Sequence, residues 1–442
     1  MLLNLEKLAD KLIKMSFILL SIFFVISCNL GLQKDNYYFT ILLNSKQFSS
    51  KEKAEAIDYF IRNSKATYIF LMKKLDEEDD AQKAVAAFLL GRQKNNKARL
   101  KLEKLLQDSN SPPLIVATAE ALGEIGDINS AKVLIDKLKN SAPDYQYPII
   151  SALIALKGEL LPVIEKVLED REFANSKGLL LWILAEKKEE KASYLFLKYL
   201  SSLDPKILVA SLHGVANLRL TQAISQVTKL LSSSNPEICS QAIMTAEALG
   251  SPQLLKPLHA LLSHADPMIR SLAVEAIGII GKEQVVPELS KFLNDEDFFV
   301  RAYAIHTLAK IGTPQTLKLI NERLFQEEEP ALQIAIIEEL MPRGVLKDKK
   351  ALLNLFKNSK DLKAQLWIAA ALVNTGEENF KDFIYSKINN PKEDVKKVTL
   401  TIIKTLGDKN AIPYLKKALE KETNESIRYY INNVIQDLSL QK

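Results

Sequence analysis

The stretch "DPMIRSLAVEAIGIIG", from Asp266 to Gly281, decides the fold of this chain. Similar stretches begin 31 residues earlier, at Asn235, and 31 residues later, at Asp297. An Asp or Asn side chain can cap the free N–H groups at the start of a helix. Proline at the first helical position, as in Pro236 and Pro267, loses only an N–H that would have no partner there. The spacing therefore predicts one helix start that is used repeatedly.

The predicted helix ends recur as well, at intervals of 28 to 34 residues. Each follows an Ala-Leu or similar pair, and they fall at Gly91, Gly123, Lys157, Glu186, Asn217, Gly250, Gly278, Ala309, Pro342, Asn374 and Gly407. Five of these places are glycines, and glycine readily adopts the left-handed backbone conformation that often ends a helix. A second apolar-periodic helix, such as "VIEKVLED", then completes each unit. Two short helices cannot form a core alone, so the units must stack on one another.

These units resemble a HEAT repeat of the short class named after phycobilin lyases, with the pattern D-x-x-V-R-x-x-A-x-x-A-L-G-x-I-G-D. The best matches are the opening stretch and "DFFVRAYAIHTLAKIG", which begins at Asp297. The resemblance implies an all-α fold, a right-handed α-solenoid of about twelve HEAT-like helix pairs with a C-terminal capping helix. We assign the repeats to residues 50–423 and the cap to residues 424–442.

The N-terminal apolar run, "MSFILLSIFFVIS" from Met15 to Ser27, is short for a membrane span, which needs about 20 apolar residues. Lys7, Lys11 and Lys14 precede it, and the small Ser27 ends it. This order of charged, apolar and small residues is typical of a secretory signal peptide. We therefore predict a removed signal peptide over residues 1–27, and the alternative is an uncleaved anchor or core helix.

The residues "VISC", from Val25 to Cys28, resemble the lipobox of a bacterial lipoprotein, and the Ile at the second position is of a kind associated with spirochaetes. The resemblance implies cleavage before Cys28, lipidation of its sulfur and a membrane anchor. Residues 28–49 would form a lipidated tether. The protein would then lie in the bacterial cell envelope, facing the periplasm or the outer surface. The aromatics of "DNYYF", from Asp35 to Phe39, would lie at the membrane interface or pack on the first repeat.

The composition excludes some broad classes of function. A net charge of +5 over 442 residues is nearly balanced, so the chain has no global polyanion-binding character.

If Cys28 is lipidated, Cys239 is the only thiol left, and no intrachain disulfide can form. Cys239 stands at the place that Arg270 and Arg301 occupy in the next two units. It is either a small packing residue or a reactive thiol.

No catalytic motif is present in the sequence. The four histidines form no metal-ligand spacing, and the chain has no G-x-S-x-G elbow, no P-loop and no dinucleotide-binding turn. Trp182 and Trp367 lie in predicted first helices, where we expect packing between repeats. We therefore predict a protein that is not an enzyme, with no cofactor, no metal site and no small-molecule substrate or nucleic-acid partner.

One ordered feature points to binding, a column of basic residues in the second helices. Lys74 precedes nine members that we predict to contact a partner: Lys104, Lys137, Lys166, Lys198, Lys229, Lys291, Arg323, Lys387 and Lys417. In solenoids of the resembled class, the second helices usually line the concave face. The alternative explanation is that lysine near a helix C-terminus interacts favourably with the helix dipole and covers apolar surface with its stem.

The predicted function is a membrane-anchored lipoprotein that acts as a non-catalytic scaffold or adaptor for another envelope protein. Two alternatives stay open at this point. One is a surface lipoprotein that binds host or matrix polyanions, and the other is a HEAT-repeat protein that attaches a cofactor in the manner of a lyase.

Overall fold

The computed structural model describes residues 32–440, and within this range the chain is helical with no β-strand. A first helix, α1, covers residues 32–43. The following helices of the first half are α2 Ser50–Arg62, α3 Ser64–Lys74, α4 Asp80–Arg92, α5 Arg99–Asp108, α6 Pro112–Ile125, α7 Ala131–Asn140, α8 Pro143–Ala155, α9 Leu161–Leu168, α10 Lys177–Glu186, α11 Ser193–Tyr199 and α12 Pro205–Leu218.

The second half continues in the same style, with short 3₁₀ turns between several helices. Its helices are α13 Ile224–Leu230, α14 Pro236–Leu249, α15 Leu255–Leu261, α16 Pro267–Gly281, α17 Val286–Leu289, α18 Phe298–Ile311, α19 Pro314–Leu324, α20 Pro330–Leu340, α21 Lys349–Asn358, α22 Leu362–Asn374, α23 Phe380–Tyr385, α24 Glu393–Leu406, α25 Ile412–Lys421 and α26 Glu425–Leu440.

From α2 to α25, the described helices form twelve consecutive pairs, as the repeat pattern predicts. The chain divides into two compact units that meet in sequence after Leu220, so α12 ends unit 1 and α13 begins unit 2. The prediction of an all-α solenoid built from about twelve helix pairs is confirmed. The predicted signal peptide and Cys28 lie outside the described residues.

The predicted helix starts are formed by side-chain caps. Asn235 accepts hydrogen bonds from the amides of Glu237 and Ile238, at 2.9 and 3.3 Å. Asp266 and Asp297 each accept a hydrogen bond from the amide two residues later. Each such cap stabilises its helix by about 1 kcal/mol, so Asn235, Asp266 and Asp297 fix where α14, α16 and α18 begin.

The glycine prediction is correct at some helix ends and wrong at others. Gly250 and Gly407 end α14 and α24 in the left-handed conformation, with φ of 63° and 65°. Gly91, Gly123 and Gly278 lie inside helices instead. A Cβ at Gly91 would lie 2.6 Å from the Cα of Ala121. These glycines therefore serve close approach between first helices and do not end them.

Both described ends of the helical array are covered. In α26, Ile427, Ile431, Val434 and Leu438 are buried, and polar residues cover most of the outer face, as expected of the predicted C-terminal capping helix. At the other end, α1 lies within the segment 28–49 assigned above to the tether and buries Phe39 against the ring of Phe70. Between residues 32 and 440, no helix combines the length and the apolar character that a membrane span requires.

Candidate protein-binding surface

The structure divides the predicted basic column by burial. Most second helices have a buried apolar residue in their last turn. The residue two positions before it is exposed, as Lys104 is before the buried Leu106 in α5. Six of the nine predicted residues are exposed, and we call them the outer lysines. They are Lys104, Lys166 and Lys198 in unit 1, and Lys229, Lys291 and Lys417 in unit 2.

The other three predicted residues lie one position later and are half-buried between repeats. Lys137 donates a hydrogen bond to the backbone carbonyl of Ser109, and burial lowers the pKa of its ammonium. Arg323 donates to Glu327 and to Asn294. The Lys387 ammonium lies 5.1 Å from the centroid of the Phe383 ring. These contacts are typical of a structural role.

At the exposed position of those three repeats, the chain carries no basic residue. Asp136, Glu322 and Ser386 stand there instead. The structure therefore brings the outer lysines onto equivalent positions of their helices and does not bring Lys137, Arg323 or Lys387 to that position. That the outer lysines contact a partner remains a prediction.

The outer lysines are mostly available for an external anion. Lys198 pairs with Glu169 at 3.1 Å, and the hydrogen bond that it donates to this carboxylate raises the pKa of its ammonium. Among the described residues, the other five make no ion pair within 4.0 Å. An exposed ammonium without a carboxylate neighbour loses no internal contact when it meets a ligand.

A cavity in unit 2 adjoins two members of the predicted column. It has a volume of about 320 Å³ and lies between α19 and the 3₁₀ helix Ser290–Asn294, which directly follows α17. Lys291, Glu322 and Arg323 line it together with polar side chains. Because an acidic side chain lies between basic ones here, the cavity offers hydrogen-bonding groups but no uniformly positive surface.

Unit 1 holds a wider open groove across its first helices. Its volume is about 500 Å³, and Phe88, Pro148 and Lys157 are among the residues that line it. Arg92 and Glu124 form an ion pair of 2.9 Å within it. Sequence reasoning missed this groove, because its floor consists of small residues that look like ordinary helix packing.

Sequence reasoning also missed a series of ion pairs that join successive repeats in unit 2. Arg270 donates to Asp295, and Arg301 donates to Glu327. Each acceptor lies two residues before the cap of the following first helix, at Asp297 and Glu329. The arginine of the D-x-x-V-R pattern, read together with an acid at that place, is the signal that would have predicted these pairs.

Cys239 and two of the histidines make internal contacts. Cys239 is buried, its thiol donates to the carbonyl of Leu231, and burial raises its pKa. His213 pairs with Glu186, and His259 pairs with Glu288. Within the part of the chain that the structure describes, no three His, Cys, Asp or Glu side chains are grouped to hold a metal ion.

Comparison with known families agrees with the observed helix pairs. The model of HEAT repeats matches residues 70–154, 224–301 and 286–373, which together make up more than half of the chain. This chain is a HEAT-repeat protein. No curated protein matches it.

Solved structures also match this chain. One, described as the Kap95:Nup1 complex, is 12% identical with a TM-score of 0.50, and the match covers 89% of this chain and 60% of that chain. Another, importin β in a polyethylene glycol condition, is 12% identical with a TM-score of 0.44, covering 92% and 71% of the two chains. This HEAT-repeat protein thus spans about 60% of the length of the first structure. At these identities the likeness shows the fold alone.

Proposed function

We propose that this HEAT-repeat protein is a membrane-anchored, non-catalytic scaffold or adaptor that holds another protein in the bacterial cell envelope. The observation that carries the binding role is the set of outer lysines, five of which have no ion pair among the described residues. HEAT-repeat solenoids are usually protein-binding scaffolds, and one solved structure of similar fold is a complex, Kap95:Nup1.

The proposed anchor is the lipidated sulfur of Cys28. Only residues 29–31 separate it from α1, which buries Phe39 and Ile41. Four fully extended residues span at most about 14 Å. A lipid on Cys28 would therefore hold the first repeat close to the membrane surface.

Crosslinking in intact cells followed by mass spectrometry tests the scaffold role. We expect one or a few envelope proteins to be crosslinked reproducibly to the repeats. Metabolic labelling with a fatty acid tests the anchor separately. Label should appear on the wild-type chain and disappear in Cys28→Ala, and label that persists in this variant would contradict the proposed anchor.

A second candidate function is the binding of polyanions, and the same five unpaired lysines favour it. Asp136 and Glu322, which occupy equivalent exposed positions, argue against a continuous basic surface. Heparin chromatography distinguishes the two functions. Retention that survives about 0.5 M salt would support polyanion binding, because simple exposed ion pairs are strongly screened at that ionic strength.

A further inference from the structure

In unit 1, exposed apolar side chains lie beside the basic residues of the second helices. Ile69 and Leu100 are 66% and 68% exposed, and Tyr194 is 46% exposed. Each lies four residues before a lysine, at Lys73, Lys104 and Lys198. Residues four apart share one face of a helix, so α3, α5 and α11 each present an apolar and a basic side chain together.

We call this surface the apolar–basic stripe, and we define it by six exposed residues on α3, α5, α9 and α11. They are Ile69, Lys73, Leu100, Lys104, Lys166 and Tyr194. Lys73, Lys104 and Lys166 make no ion pair among the described residues. The intervening α7 presents Lys132 and Asp136 at the matching positions, so it interrupts the apolar pattern.

Both kinds of side chain remain unsatisfied in the isolated chain. Burial of a Leu or Ile side chain is favourable, and here Ile69 and Leu100 face water. Among the described residues, the ammonium groups of Lys73, Lys104 and Lys166 have no carboxylate within 4.0 Å. A ligand that satisfies the stripe must therefore bring apolar side chains and negative charges in alternation.

We infer that the apolar–basic stripe binds a segment of the partner protein in which carboxylates lie beside large apolar side chains. This inference rests on the proposed scaffold function and names the chemistry of the partner. An acidic amphipathic helix or strand matches the stripe in charge and can bury Ile69, Leu100 and the ring of Tyr194.

Two other classes of ligand fit the stripe less well. An anionic lipid surface carries negative charge over a whole plane and would meet Asp136 and Glu165, which are exposed on α7 and α9 next to the stripe. A single protein segment can instead place its carboxylates only at the lysines. Glu165 accepts a hydrogen bond from the Tyr194 hydroxyl, which keeps a carboxylate among the exposed apolar groups. A polyanion such as heparin has no apolar groups that would cover Leu100.

Photo-crosslinking of the full chain in intact cells tests the inference. p-Benzoylphenylalanine replaces Leu100 in one variant and Tyr147 in a control. Tyr147 lies on the first helix α8 and is 77% exposed. Mass spectrometry then identifies the crosslinked peptide. A further variant combines the Leu100 probe with Lys73→Glu, Lys104→Glu and Lys166→Glu, and its melting temperature is measured in parallel.

We expect residue 100 to crosslink to a protein segment that contains both acidic and large apolar residues. The triple reversal should lower this crosslink about tenfold without changing the melting temperature, since each exposed ion pair contributes up to about 1 kcal/mol. Crosslinks from residue 100 to lipid, to a polyanion or to a segment without acidic residues would overturn the inference.

The outcome at position 147 separates this inference from the scaffold role. Capture of a protein at residue 147 but not at residue 100 would overturn the inference and leave the scaffold function standing. A complete absence of protein crosslinks at both positions, together with no captured protein in the general crosslinking experiment, would overturn both.

Discussion

Arg301 and Glu327 form a buried ion pair between adjacent repeats, with the Arg301 Nε 3.1 Å from the Glu327 Oε2. The Glu327 side chain is only 1% exposed. Arg323 supplies a second guanidinium at 2.7 Å, and the backbone amides of Glu328 and Glu329 donate to the other carboxylate oxygen. The carboxylate therefore joins α18, α19 and the start of α20.

The substitution Glu327→Gln should destabilise the protein strongly. It would leave Arg301 and Arg323 half-buried with no counter-charge, which costs about 3 to 5 kcal/mol. Urea unfolding should report this as a lower free energy of unfolding for unit 2. The matched control is Glu322→Gln, an exposed acid next to Arg323, which should change the free energy by less than about 0.5 kcal/mol. Equal effects of the two substitutions would contradict the structural role.

The same carboxylate makes stability depend on pH. Burial alone would raise the pKa of Glu327, but hydrogen bonds from Arg323, the Glu329 amide and Arg301 outweigh it, and the pKa lies below the usual 4.5. A lowered pKa in the folded state gives stability that is present above the unfolded value and is lost as the pH falls through the folded value.

The difference in free energy of unfolding between the wild type and Glu327→Gln should therefore be largest near neutral pH. It should shrink as the pH falls below the unfolded value of about 4.3. Denaturant titrations from pH 7 to pH 3 measure this difference directly. A difference that stays constant over this range would show that Glu327 is not ionised in the fold.

Close helix packing in unit 1 leads to a prediction for Gly91. Alanine usually improves a helix by about 1 kcal/mol relative to glycine. Here the new Cβ would lie 2.6 Å from the Ala121 Cα, a contact that requires α4 and α6 to move apart. Overpacking of this kind costs about 1 to 3 kcal/mol, so Gly91→Ala should lower the melting temperature. A higher melting temperature would mean that the two helices separate freely.

The repeat period was predictable from sequence because capping is local chemistry. Asn235, Asp266 and Asp297 carry the same cap at the same spacing, and no tertiary information is needed to recognise them. The glycines were less predictable. A glycine after an Ala-Leu or similar pair is compatible either with a left-handed helix end, as at Gly407, or with a close contact to the next helix, as at Gly91. Only the position of the neighbouring repeat decides between the two.

The basic column could be predicted only in part, because its register depends on burial. Lys104 is followed by two leucines and Lys137 by one, so aligning their last apolar residues leaves an uncertainty of one position. One position turns a side chain by 100° about a helix, which is enough to move it from solvent to the seam between repeats. The repeat pattern contains a signal for the pairing of Glu327 with Arg301, but none for its second guanidinium partner, Arg323, which comes from a different helix.

Reversal of four outer lysines tests the central claim most directly. Lys166, Lys198, Lys229 and Lys291 are all exposed, and each is replaced by Glu in one variant of the full chain. Partner capture is measured by crosslinking in cells, and the melting temperature of the purified variant is measured beside it. The account predicts that capture is lost while the melting temperature falls by no more than about 8 °C, since each exposed substitution changes the free energy of unfolding by at most about 0.5 kcal/mol. Undiminished capture by a folded variant would contradict it.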